Sequence, residues 1–123
     1  MPASPAAQIA LLLLYAVGMM AGQMMFKLAA GGYASEAGTT LVGRALSLVA
    51  NPFFVASLIL YFLLSVFWVW ILTFTPISKA YPFVAVSFVG TALGGWLFFG
   101  EKLSAVNVFG LVLLAAGIVL ATR

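Results

Sequence analysis

The sequence predicts an all-α membrane protein: a four-transmembrane-helix bundle forming one domain over residues 1–123, assembled as a dimer. Three observations predict it. Hydrophobic residues make up 66% of the 123-residue chain and charged residues only 6%, against about 25% charged in a soluble domain. The apolar residues fall into four runs long enough to cross a bilayer. All seven formally charged side chains lie at the ends of those runs or between them, as expected when the runs sit in hydrocarbon.

Span one is predicted over about 8–28. Its length is roughly 30 Å at 1.5 Å per residue, one hydrocarbon thickness, and Gly31-Gly32 is expected to end it. The segment before it lacks the Lys or Arg of a signal-peptide n-region, so this run is read as a span. A long loop follows to Asn51 and holds Glu36 and Arg44. Within it, Thr40 to Val49 fits either a short interfacial helix or an ordinary connector.

Span two is predicted over 53–74, with Asn51 as N-cap and Pro52 at the first helical position. Thr75-Pro76 stops it. Span three is predicted over 79–99, with Ser78 as N-cap, so that Pro82 falls fourth, where its missing N–H costs little. Gly100 is a natural left-handed cap. Span four is predicted over 105–121 with Ser104 as N-cap. The short connections at 75–78 and 100–104 demand antiparallel neighbours. Four spans put both termini on one side. That side carries Lys79 and Arg123 and the other Lys27, Arg44 and Lys102, a bias too small to fix orientation.

Composition also excludes chemistry. The chain has no cysteine and no histidine, which removes disulfides, thiolate or imidazole metal sites and Cys/His catalysis. Its two carboxylates, Glu36 and Glu101, are far apart in sequence, which argues against paired-carboxylate chemistry and acidic metal cages. No nucleotide-binding glycine pattern or nucleophile elbow is present. Neither enzyme activity, a cofactor, a metal nor a nucleic-acid partner is expected.

Polar residues within the spans define the candidate site. Met19, Gln23 and Lys27 recur at i, i+4, i+8 and share one face of span one. An amide inside a span needs a partner or a water-filled cavity; the alternatives are an interhelical hydrogen bond without cargo for Gln23 and snorkelling for Lys27. Ser57, Tyr61, Ser65 and Trp68 mark one face of span two. At the start of span three, Ser78, Lys79, Tyr81 and Pro82 combine free backbone N–H groups with an ammonium, an anion site or an interfacial anchor. The pairs Gly18/Gly22 and Gly90/Gly94, and the glycines Gly110 and Gly117 of span four, mark close helix contacts. Glu101 and Lys102, between spans three and four, are read as cap or gate residues.

At these residues the chain resembles the drug/metabolite transporter superfamily, in its four-span branch of EamA-like and small multidrug resistance-like proteins. The ordered set is Ala21-Gly22-Gln23 with Lys27, Pro76-Ile77-Ser78-Lys79-Ala80-Tyr81-Pro82, Phe99-Gly100-Glu101, and Gly110 to Gly117, which resembles the span-four dimerisation signature of small multidrug resistance transporters. Those exporters carry a glutamate eight residues before the lysine, where this chain has Met19. Their Gly-Val-Gly after the span-three tyrosine reads Val86-Ser87-Phe88 here, and their tryptophan three residues after that tyrosine is Val84. The Ala-Gly-Gln…Lys and Ala-Tyr-Pro patterns are more similar to the subunits that flip undecaprenyl-phosphate-aminoarabinose. The resemblance implies a lipid-linked sugar as cargo, membrane lipids around it, a multi-pass place in a bacterial inner membrane, and a homodimer or a heterodimer with a related four-span subunit. The candidate substrate contacts are Met19, Gln23, Lys27, Tyr61, Trp68, Lys79, Tyr81 and Pro82, with Lys27 and Lys79 to meet the phosphate and Gln23 and Tyr81 to hydrogen-bond the head group; the resemblance implies a dimer interface at Gly110 and Gly117. A multidrug-type exporter and a non-transporting subunit of a larger complex are the alternatives.

Overall fold

A computed structural model describes residues 4–34 and 40–123. They form five helices: α1 (Pro5–Ala34), α2 (Leu41–Ala50), α3 (Pro52–Leu72), α4 (Ile77–Phe99) and α5 (Ala105–Ala121). Pro5–Gly32, Pro52–Leu72 and Ile77–Phe99 are long and apolar enough to cross a membrane. The fourth predicted span, α5, is apolar but has 17 residues, about 26 Å. Glu36 lies outside the described residues.

Local chemistry sets most boundaries. Thr40 caps α2, its Oγ1 accepting from the Gly43 N–H at 3.1 Å, so the 40–49 segment is a helix and not a plain connector. The α2 residues Leu41, Val42, Leu46 and Val49 are exposed along one side. The Asn51 Oδ1 accepts from the Phe53 and Phe54 N–H groups at 2.9 and 3.4 Å, with Pro52 opening α3 as expected. Ser104 and Asn107 form a reciprocal capping box at the start of α5, the pairing that satisfies two orphan donors at once.

Helix α1 starts at Pro5 rather than about 8 and α3 ends at Leu72 rather than 74, and two further boundaries differ for reasons visible in the packing. Helix α1 runs through Gly31-Gly32 to Ala34. Glycine weakens a helix by about 1 kcal/mol relative to alanine but does not break it. A Cβ on Gly32 would stand 2.9 Å from the Asn51 Nδ2, so this glycine admits the α2–α3 corner. Helix α4 begins at Ile77, not Lys79, and Ser78 is not its cap. Pro76 takes the extended N-cap conformation, at φ −59° and ψ 141°, and its carbonyl accepts from both the Lys79 and Ala80 N–H groups at 3.0 Å. Pro82 is therefore the sixth helical residue, beyond the four free N–H positions. It has no N–H to give the Ser78 carbonyl.

Helix α1 packs against both α3 and α4, while α5 runs back along α4. Gly18 and Gly22 let α3 approach: a Cβ there would meet the Leu64 Cδ2 at 2.7 Å and the Tyr61 Cε2 at 2.6 Å. Gly90 and Gly94 do the same between α4 and α1, where Met20 and Met24 occupy the space a Cβ would need. In lipid, such close packing replaces the hydrophobic effect as the attraction between helices. A compact apolar cluster of Leu12, Ile71 and Ala80 joins α1, α3 and α4 near the start of α1. Large side chains such as Phe62, Phe98, Val106 and Leu120 face outward, as on a surface solvated by acyl chains.

Candidate functional site

The α1 stripe meets α3 through a tyrosine. The Gln23 Nε2 donates to the Tyr61 hydroxyl at 2.7 Å, and that hydroxyl donates to the Met19 carbonyl at 3.2 Å. Phe26 stacks on the Tyr61 ring at 5.3 Å and 12°. The Ser57 hydroxyl donates to the Gly22 carbonyl at 3.3 Å. The Gln23 amide thus finds the Tyr61 hydroxyl, and the Tyr61 and Ser57 hydroxyls find backbone carbonyls of α1, across the α1–α3 seam, as polar groups at membrane depth require. Met19 contributes a backbone carbonyl to this network.

Lys27, one turn beyond Gln23, is paired. Its Nζ lies 3.4 Å from the Glu101 Oε1, with both side chains about half exposed. Gly100 produces this pairing: at φ +65°, the left-handed region that suits glycine, it reverses the chain at the end of α4. The Gly95 carbonyl accepts from the Gly100 and Glu101 N–H groups, locking the turn. The Glu101 carboxylate then passes close over Gly95, where a Cβ would stand 3.2 Å from its Oε2. Beneath the ion pair lies a groove of about 380 Å³ between α1 and α4, lined by Gln23, Met24, Lys27, Thr91, Gly95 and Glu101. Lys102, next in sequence, is exposed; the described partner of Glu101 is Lys27.

Trp68, Lys79, Tyr81 and Pro82 lie at the other end. Trp68 packs on Tyr15 at 4.8 Å and edge-on to Tyr81 at 6.4 Å. Tyr81 and Pro82 also line an open apolar cleft of about 520 Å³ between α4 and α5, with Val84, Phe88, Leu113 and Gly117. Lys79 borders a separate groove of about 300 Å³ with Pro5, Gln8, Thr75 and Arg123. Gln8 and Lys27 are 19 residues apart on one helix, roughly 29 Å. The eight predicted contact residues therefore form two clusters at opposite ends, and no single head group touches both lysines at once.

Two residues of the cluster at the Lys79 end carry little sequence signal. Tyr15 stands one turn before Met19, so extending the i, i+4 stripe backwards finds it. Thr75 reads as a linker residue; only its burial, at 5% exposure, sets it apart. Among the described residues no cluster of side chains that would hold a metal is present. Gly110 and Gly117 have no atom of the chain within 4 Å of an added Cβ, apart from their own helix backbone and sequence neighbours.

No family model matches the chain, and no solved structure matches it. A stretch of 53 residues is 34% identical to the probable 4-amino-4-deoxy-L-arabinose-phosphoundecaprenol flippase subunit ArnE of Hamiltonella defensa subsp. Acyrthosiphon pisum. The match covers 43% of this chain and 48% of that protein, so the chain spans about half the length of the curated relative it matches.

Proposed function

We propose that the protein is a subunit of a flippase in a bacterial inner membrane, and that its cargo is a polyprenyl-phosphate-linked sugar. The observation that carries this reading is the groove that places Gln23 and Lys27 side by side, within helices otherwise clothed in apolar side chains. A phosphate entering it meets an ammonium, and a sugar meets an amide. The prenyl tail remains in lipid. The partial likeness to a flippase subunit supports the same cargo class. The test is binding: the purified protein in nanodiscs is titrated with an undecaprenyl-phosphate-linked aminosugar and with the undecaprenol-linked sugar that lacks phosphate. Preference for the phosphate form is expected, and equal affinity overturns the reading.

Helix α5 serves as the fourth span in this proposal, crossing with little tilt, and the working unit is at least a dimer, of two copies or with a related subunit. Gly110 and Gly117 leave a shallow track that the chain itself does not fill, as a facing helix requires. Gly110→Leu/Gly117→Leu is expected to abolish dimers in nanodiscs, measured by mass photometry and crosslinking, while the single chain remains folded. Unchanged dimers would move the interface elsewhere, and not to Gly90 and Gly94, which α1 already occupies.

Proton-driven export of quaternary cations is not expected, because no acid lies within any predicted span and Met19 stands where the multidrug exporters carry theirs. Vesicles with an imposed pH gradient are expected to expel ethidium no faster than empty vesicles. Efflux clearly above that control would contradict the assignment.

A further inference from the structure

The groove at the Lys79 end has features that neither the helix ladder nor the apolar core requires. The Thr75 side chain is buried at 5% exposure, and its hydroxyl makes no hydrogen bond among the described residues. A hydroxyl in that state normally finds a partner, because leaving it unpaired is unfavourable. Thr75 lines a groove together with Lys79, Gln8, Thr122 and Arg123. Two cations and the unpaired Thr75 hydroxyl thus border one space of about 300 Å³, while the Thr122 hydroxyl donates to the Ile118 carbonyl. Helix α4 begins two residues after Thr75 with no side-chain cap. Its first amides and the positive end of its dipole add to the field. Among the described residues the one carboxylate side chain, Glu101, is at the opposite end of α4, paired with Lys27, and so does not neutralise this end.

We propose that this groove is a second phosphate-binding site, with Thr75 donating a hydrogen bond to a phosphate oxygen and Lys79 supplying the main counter-charge. Arg123 and Gln8 complete the rim. The chemistry is that of a phosphate monoester or diester, presented by a lipid head group or as free phosphate. If the flippase reading holds, on which this functional role rests, the two ends are separate stations. One receives the head group on one face of the membrane and the other holds it on the opposite face. The Trp68–Tyr81 pair and the α4–α5 cleft lie beside the second station.

The experiment is calorimetric titration of the full chain in phosphatidylcholine nanodiscs, once with inorganic phosphate and once with dihexanoyl phosphatidic acid. Wild type is compared with Thr75→Val, Lys79→Gln and Thr73→Val. Thr75→Val keeps the shape of the side chain and removes only the hydroxyl. Thr73, whose hydroxyl donates to the Trp70 carbonyl at 2.6 Å, is exposed and controls for loss of any nearby hydroxyl. Lys79→Gln is expected to weaken binding about tenfold to a hundredfold, Thr75→Val about fivefold, and Thr73→Val not at all. Effects in the phosphatidic acid titration alone identify a lipid head group as the ligand; effects in both admit free phosphate. Wild-type affinity in both Thr75→Val and Lys79→Gln overturns the proposal. Binding that depends on Thr75 in a protein that moves no lipid would instead overturn the flippase reading and leave the site standing.

Discussion

Lys27→Ala is expected to lower affinity for a polyprenyl-phosphate sugar by about tenfold to a hundredfold, the loss of one charge-assisted contact to phosphate. Glu101→Gln is expected to do the reverse. In the structure the lysine is engaged at 3.4 Å by Glu101, so an incoming phosphate must compete with a carboxylate. A half-exposed pair of this kind contributes at most about 1 kcal/mol. Neutralising Glu101 should therefore tighten binding up to about fivefold. The opposite signs of the two variants are the informative feature. If Lys27 is only a snorkelling anchor, both variants bind like wild type. If Glu101 itself contacts an amine on the cargo, Glu101→Gln weakens binding. The measurement is titration of each variant in nanodiscs with the same lipid.

Gly22→Val should be the most disruptive small substitution in the bundle. A Cβ at this position would lie 2.6 Å from the Tyr61 Cε2 and 2.8 Å from its Cζ. That ring cannot swing aside without breaking the Gln23 and Met19 hydrogen bonds and the stack on Phe26. Overpacking of this kind costs about 1–3 kcal/mol, so a fall in melting temperature on the order of 5 °C or more is expected. Gly90→Ala should be milder, because the obstructing atom is the sulfur of Met20 and a methionine chain readjusts. Gly110→Val should leave the single chain unaffected, since its Cβ would meet open space. Melting followed by size-exclusion of the detergent-solubilised chain ranks the three; a Gly22→Val protein that melts with wild type contradicts the packing described.

Where a structural decision is made within one turn of chain, the residues announced it. Asn51-Pro52 and Ser104 started helices and Gly100 ended one. In each case the cap satisfies its orphan groups from neighbours two to six positions away. Ser78 misled for an equally local reason: Pro76 already held the cap conformation and its carbonyl served the first turn. Gly31-Gly32 misled because glycine only lowers helix stability; the close approach of Asn51 to Gly32, from about twenty residues away, is not legible in that dipeptide. The candidate site divides the same way. A spacing of four placed Met19, Gln23 and Lys27 on one face. It carried no information that Tyr61, 38 residues on, would take the amide, or that Glu101 would take the lysine. The separation of Lys79 from Lys27 follows from the parallel run of α1 and α4, which sets the start of α4 beside the start of α1 and its end beside Lys27, and Thr75 emerges only once burial is known.

The most direct test of the account is transbilayer movement itself. The protein, with its partner subunit where one is required, is reconstituted in liposomes carrying an undecaprenyl-phosphate-linked aminosugar. The fraction of head-group amine open to a membrane-impermeant reagent is followed in time. The account predicts that labelling proceeds past the outer leaflet to nearly all of the lipid in wild-type vesicles, and much more slowly with Lys27→Ala. Labelling that stops at the outer leaflet in wild type, as in protein-free vesicles, would contradict it.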